Sequence, residues 1–146
     1  ATTGTFGNVF LQHKAMRRGR NGMKPDFVIE LPPVTKKNSQ RMVSRGGRVI
    51  PIPSKAYSEY EKAAGWYLKP LGIDYPVNIK ALYYMPTRRR VDKTNLESAL
   101  CDVLVRHGVI ADDNCRIVAA TDGSRVLYDK DNPRTEIYIT RMEAGE

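Results

Sequence analysis

The stretch VNIKALYYMPTRRRVDKTNLESALCDVLVRHG, residues 77–108, holds two elements of different period and the break between them. Val77, Ile79, Ala81 and Tyr83 alternate with Asn78 and Lys80, the period of a half-buried strand, and Pro86 stops it. Leu96, Ala99, Leu100, Val103, Leu104 and His107 then recur at helical spacing, which predicts a helix over Asn95–His107 with one buried face. Thr94 and Glu97 have the T-x-x-E spacing of a capping box, and Gly108 falls where a left-handed C-cap belongs. Between strand and helix stand three adjacent arginines, Arg88, Arg89 and Arg90, with Asp92 just behind them.

The flanks extend this pattern. FVIELPP (27–33) reads as a short strand stopped by two prolines, VTKKNSQR (34–41) as a polar basic loop, and RMVSRGGRVIPIP (41–53) as a hairpin around Gly46-Gly47. Ser54 suits an N-cap. After it Ala56, Tyr57, Tyr60, Ala63, Ala64 and Tyr67 repeat at helical spacing until Pro70 and Gly72 end the element, and core packing is the plain reading of that stripe. Downstream, CRIVAATDGSRVLYDKDNPRTEIYITRM (115–142) is β-rich. Asp122-Gly123 marks a bulge or extra turn, Asn132-Pro133 a turn, and TEIYIT alternates, which predicts two antiparallel final strands. The order β-ββ-α-β-α-β-β predicts an α+β domain, a mixed β-sheet with two main helices packed on one side.

Composition bounds what such a domain can be. With 146 residues, 41% hydrophobic and 27% charged, the chain suits one globular domain with a real core. No apolar run has the length of a membrane span, and the first residues lack a signal peptide's apolar core, so the expected location is the cytoplasm. Residues 1–22, rich in Thr, Gly and Arg and without periodicity, read as a disordered arm, an upstream read-through or a cloning remnant. Residues 23–146 read as the single folded domain. The net charge is +8, but Lys14, Arg17, Arg18 and Arg20 carry four of those charges with no acid beside them. The folded part is thus mildly basic, which suits a nucleic-acid partner. Cys101 and Cys115 form no CxxC pair, and with His13 and His107 the only histidines the sequence does not point to a structural zinc site. His107, in the last helical turn, complements the helix dipole.

Arginines beside a helix N-terminus favour an anion, since free N–H groups point outward there and Arg matches phosphate with its planar fork. Aspartates in the same place weaken phosphate binding unless they hold a divalent cation. Mg²⁺ takes few carboxylates and leaves positions for water and phosphate oxygens. Asp92 before the helix and Asp112 and Asp113 after it are the candidates, and together with the arginines they point to a metal-dependent nuclease. Plainer readings stand beside this one: Asp92 as a dipole complement, Thr94 and Glu97 as a cap only, Asp112-Asp113-Asn114 as a turn, the arginines as a solvated face. The helix spans about 20 Å at ~1.5 Å per residue. Asp113 therefore approaches Asp92 within one chain only if the return runs antiparallel to the helix, and otherwise the acids meet across a dimer.

From Tyr83 to Asn114, YYMPTRRRVDKTNLESALCDVLVRHGVIADDN resembles the RusA-type Holliday-junction resolvases, phage-associated endodeoxyribonucleases. The aromatic strand, the P-x-R-R-R run, the Asp, the Asn-Leu, the Ala-Leu-x-Asp helix and an Asp-Asp pair about twenty residues after the first Asp carry the likeness. PPVTKKNSQR (32–41) and PSKAYSEYEKAA (53–64) extend it, so that it covers about Phe27–Met142. The resemblance implies a homodimer that binds four-way DNA junctions and makes paired symmetric nicks in recombination and repair, in a host or prophage setting. It implies Mg²⁺, with Mn²⁺ able to substitute, no small-molecule cofactor and no membrane. Asp92, Asp112 and Asp113 would be the catalytic and metal-holding acids. Arg88, Arg89, Arg90, Lys93 and Asn95 would contact DNA, with Lys36, Lys37 and Arg41 as a second set. Two positions depart from the family pattern: Thr94 stands where a second Asp is expected, and Ser98 where a Lys is. These departures keep open a non-catalytic DNA-binding module derived from a phage nuclease, and a metal nuclease acting on linear duplex is the other alternative.

Overall fold

The computed structural model describes residues 24–36, 40–53 and 55–143, with 40–45 and 48–53 as backbone alone. In chain order the described elements are β1 Phe27–Ile29, β2 Gln40–Arg45, β3 Arg48–Pro53, α1 Lys55–Ala64, β4 Val77–Met85, α2 Lys93–Arg106, β5 Val118–Ala120, β6 Arg125–Tyr128 and β7 Arg134–Arg141. The α+β architecture is the expected one, with one more short strand than the sequence pattern suggested. None of the helices among the described residues is long and apolar enough to cross a membrane.

β4 is the axis of the sheet, and its bounds are those read from its alternation. Val77, Ile79, Ala81 and Tyr83 are buried, while Asn78, Lys80, Leu82 and Tyr84 face the other side half-exposed. On one edge β4 pairs antiparallel with β7, Ala81 opposite Ile137, and β1 joins the far side of β7. On the other edge it pairs in parallel with β5 and β6 in turn. Parallel neighbours need a crossover, and α2 supplies it, burying Leu96, Ala99, Leu100, Val103 and Leu104 against the core.

β5 and β6 are one edge interrupted at Thr121–Ser124, the bulge or turn expected at Asp122-Gly123. Side chains replace the ladder there. Asn78 exchanges two hydrogen bonds with the Asp122 backbone, at 2.7 and 3.2 Å, and the Ala81 N–H donates to Ser124 Oγ at 3.0 Å. The final two strands, β6 and β7, run antiparallel as expected but do not pair with each other. β4 lies between them, because its central apolar ladder with β7 buries more than a two-strand ribbon could.

Other boundaries shift for local reasons. β1 is only three residues, shorter than its apolar run. α1 stops at Ala64 and tightens into a 3-10 turn over Gly65–Tyr67, ahead of Pro70 and Gly72. Of its stripe, Tyr57, Tyr60 and Ala64 are buried, whereas Ala56 and Tyr67 are exposed. The expected N-cap, Ser54, lies outside the described residues. The β2–β3 hairpin turns at Gly46 and Gly47, with φ of +57° and +79°, the two left-handed residues of a two-residue loop.

The two ends of α2 are built differently. Gly108, φ +72°, closes a Schellman motif: its N–H donates to the Val105 carbonyl at 3.1 Å and the Val109 N–H to that of Leu104 at 2.9 Å. His107 does more than complement the dipole. Its Nε2 lies 2.6 Å from the Glu61 carbonyl oxygen of α1, tying the two helices together. Gly65 makes room for that ring, since a Cβ there would stand 2.7 Å from His107 Cε1.

Candidate nuclease site at the N-terminus of α2

The chain leaves β4 at Met85, passes the arginines and enters α2 at Lys93, two residues earlier than its apolar period predicts. Asp92, extended at φ −86° and ψ 118°, is the N-cap. Its Oδ1 accepts from the Thr94 N–H at 3.0 Å and the Thr94 hydroxyl at 2.5 Å. The expected Thr94–Glu97 capping box is therefore not formed: Asp caps as well as Thr and sits where the extended chain turns into the helix. A carboxylate has about four acceptor sites, so capping does not exhaust Asp92.

Release from the cap changes what Glu97 does. Its Oε1 is buried without a hydrogen bond, although the Lys93 ammonium stands 3.3 Å away and balances its charge. The side chain is 19% exposed and runs along the face that carries Thr94, Glu97 and Cys101 at i, i+3 and i+7.

Asp112 and Asp113 share a loop but differ in task. Asp112 Oδ1 accepts from the Asp113 N–H at 2.7 Å and its Oδ2 from the Asn114 amide at 3.0 Å. These donors hold its carboxyl below the usual range, the backbone contact foremost. Asn114 Oδ1 accepts in turn from the Arg116 N–H at 2.9 Å. Asp112 thus builds the turn that the Asp-Asp-Asn pattern suggested. The Asp113 carboxylate bears on α2: burial first, then Asp113, Glu97 and Asp102, push the Cys101 thiol up to about 11.

Asp92, Asp112 and Asp113 do not close into one cage. Among the described residues no three or more His, Cys, Asp or Glu side chains are gathered tightly enough to hold a metal ion. Cys101 lies nine residues beyond Asp92, about 13 Å along the axis at ~1.5 Å per residue, and Glu97 falls between them. The donors are nonetheless all carboxylate oxygens at or near the surface, the chemistry a hard divalent cation takes.

The basic residues divide as well. The Arg88 guanidinium stacks over the Tyr128 ring at 4.1 Å. Arg89 and Arg90 are exposed, and among the described residues no acid pairs with them. Lys36, expected on DNA, is held by Asp102 at 2.8 Å, a partner that residue spacing did not reveal because 66 residues separate the two. Arg41 lies in β2, Lys37 falls outside the described residues, and Asn95 is half-buried in the first turn of α2.

A family model described as "Endodeoxyribonuclease RusA" matches residues 30–140, from the end of β1 nearly to the end of β7. The chain belongs to the RusA family. A curated relative, the "Crossover junction endodeoxyribonuclease RusA" of Aquifex aeolicus (strain VF5), is 33% identical over 92 residues, 60% of this chain and 70% of that protein. The RusA match takes in Asp92, Asp112, Asp113 and all three arginines. The chain is thus an endodeoxyribonuclease by family, and nucleases of the RusA family depend in general on a divalent metal.

Proposed function

We propose that this chain is a Mg²⁺-dependent endodeoxyribonuclease that resolves four-way DNA junctions. It works as a homodimer, each protomer making one of two symmetric nicks, in recombination and repair of host or prophage DNA in the cytoplasm. The observation that carries the reading is Asp92 at the N-cap of α2, directly after the exposed Arg89 and Arg90, with the charge of Asp113 acting on Cys101 of the same helix. Phosphate meets cations and helix N–H groups there, and carboxylates are within the same few turns.

Mg²⁺ commonly takes one or two carboxylates and completes its shell with water and substrate phosphate, so DNA itself supplies part of the site. Asp92 and Asp113 are the ligands proposed, with Mn²⁺ able to substitute. Glu97 is the carboxylate between them, in the region where Thr94 offers none. Asp112 holds the loop that presents Asp113. When bound, the metal makes water a nucleophile near neutral pH and offsets charge on the phosphodiester. Arg89 and Arg90 fix the scissile strand, Lys93 holds Glu97 in place, and Asn95 orients an aspartate or a phosphate. Lys36, tied to Asp102, belongs with Lys37 and Arg41 to the second DNA-contacting set.

A second reading, a DNA-binding module without cleavage, is favoured by Thr94 and by acids that do not gather without substrate. Wild-type protein incubated with Mg²⁺, a labelled four-way junction and its separate duplex arms decides among the readings. The proposal expects paired cuts in the junction and intact arms. Equal cutting of both would establish a linear-duplex nuclease, and binding with no cutting in Mg²⁺ or Mn²⁺ would establish the non-catalytic module.

A further inference from the structure

The parallel pairing of β4 with β6 ends at Met85 opposite Tyr128, so both strands finish side by side at their C-terminal ends. The chain then turns through Thr87 to Arg88, whose guanidinium returns over the Tyr128 ring. A cavity of about 370 Å³ lies between this loop and β6, lined by Met85, Arg88, Arg89, Val126, Leu127 and Tyr128 among others. Tyr128 is 37% exposed, one of the few large apolar side chains the described surface leaves in water. The acid next to it, Asp129, is committed to Arg134 at 2.9 Å, so the open side of the cavity is basic.

We propose that this cavity is a nucleobase subsite, taking one unpaired base at the branch point of the DNA, stacked on Tyr128. The inference rests on the branched-DNA reading above. Apolar lining residues, a partly exposed aromatic side chain and two arginines match a base attached to a phosphate, whereas a phosphate alone has no use for the apolar lining. The mouth of parallel strands is also where open sheets bind ligands. A stacked base is worth about five- to a hundred-fold in affinity. An exposed cation–π contact is worth only about two- to five-fold. The base therefore displaces the Arg88 guanidinium from the ring, and the guanidinium moves to the flanking phosphate. Arg88 is four residues before Asp92, so a base held here sets the register of the strand at the start of α2.

The test is equilibrium binding by fluorescence anisotropy in Ca²⁺. The DNAs are intact four-way junctions, junctions with a single abasic site walked through the nucleotides around the branch point, and matched linear duplexes. The proteins are wild type, Tyr128→Ala and Tyr128→Phe, each checked by thermal melting. At one abasic position wild type should lose about five- to a hundred-fold. Tyr128→Ala should bind the intact junction that much more weakly and be indifferent to the abasic site, while Tyr128→Phe behaves as wild type. Wild-type binding unaffected at every abasic position, or an equal loss for wild type and Tyr128→Ala, would overturn the subsite. Junction and duplex bound alike by wild type would overturn the junction reading and the subsite with it, whereas junction-selective binding with no loss at any abasic position would overturn the subsite alone.

Discussion

Asp92 does two jobs with one carboxylate. As the N-cap it accepts from Thr94, and in the proposed chemistry it holds the metal. The two jobs separate by substitution. Asp92→Asn keeps a good cap and should leave the melting midpoint close to wild type, whereas Asp92→Ala should lose about 1 kcal/mol of stability in denaturant titrations. Cys101 gives an independent view of the same face. Its thiol is half-buried and held up to about 11, while Cys115 is exposed. Mass spectrometry of iodoacetamide-treated native protein at pH 8 should find Cys115 modified well before Cys101, because only the thiolate reacts. Equal rates would mean that Cys101 is not shielded from water as described. At this scale the sequence names the acids but not their directions. Asp112 and Asp113 are indistinguishable as letters. The turn separates them, sending one carboxylate to backbone and amide donors and the other toward α2.

At the scale of elements, the parts dictated by local chemistry were readable and those dictated by partners were not. β4 and the Gly46-Gly47 hairpin follow from period and turn residues, and the Schellman end of α2 from Gly108. The start of α2 misleads because Asp92 and Thr94 are both good caps two residues apart, and only backbone geometry selects the first. The last two strands run antiparallel as their pattern suggests, but adjacency in sequence does not reveal that β4 lies between them. The α1–α2 contact was equally hidden. Gly65→Ala should push against the His107 ring and cost about 1–3 kcal/mol in chemical denaturation. An unchanged midpoint would show that the ring is not confined there. The loop before α2 makes a separate prediction. Arg89→Ala should lower the slope of log K against log salt for DNA binding by about one unit, as expected for one lost phosphate contact. A slope unchanged for both Arg89→Ala and Arg90→Ala would remove the backbone-binding role.

The whole molecule is a strand-centred sheet with one end specialised. The C-terminal mouths of β4 and β6 lie side by side at that end, and the chain leaving β4 runs from there through the arginine loop into the start of α2. The class of the molecule was legible because the P-x-R-R-R run, Asp92 and the Asp-Asp pair carry their spacing in the sequence. The roles of Lys36 and Glu97 were not, because each is set by a partner or a cap that only folding chooses. The central claim is that Asp92 and Asp113 serve cleavage rather than folding or DNA affinity. Cleavage and gel-shift assays on one labelled four-way junction, in Mg²⁺, with wild type, Asp92→Asn and Asp113→Asn, test it most directly. Both variants should bind the junction at least as tightly as wild type, since each removes a negative charge near phosphate, and should fail to cut it. Either variant cutting at the wild-type rate would contradict the account.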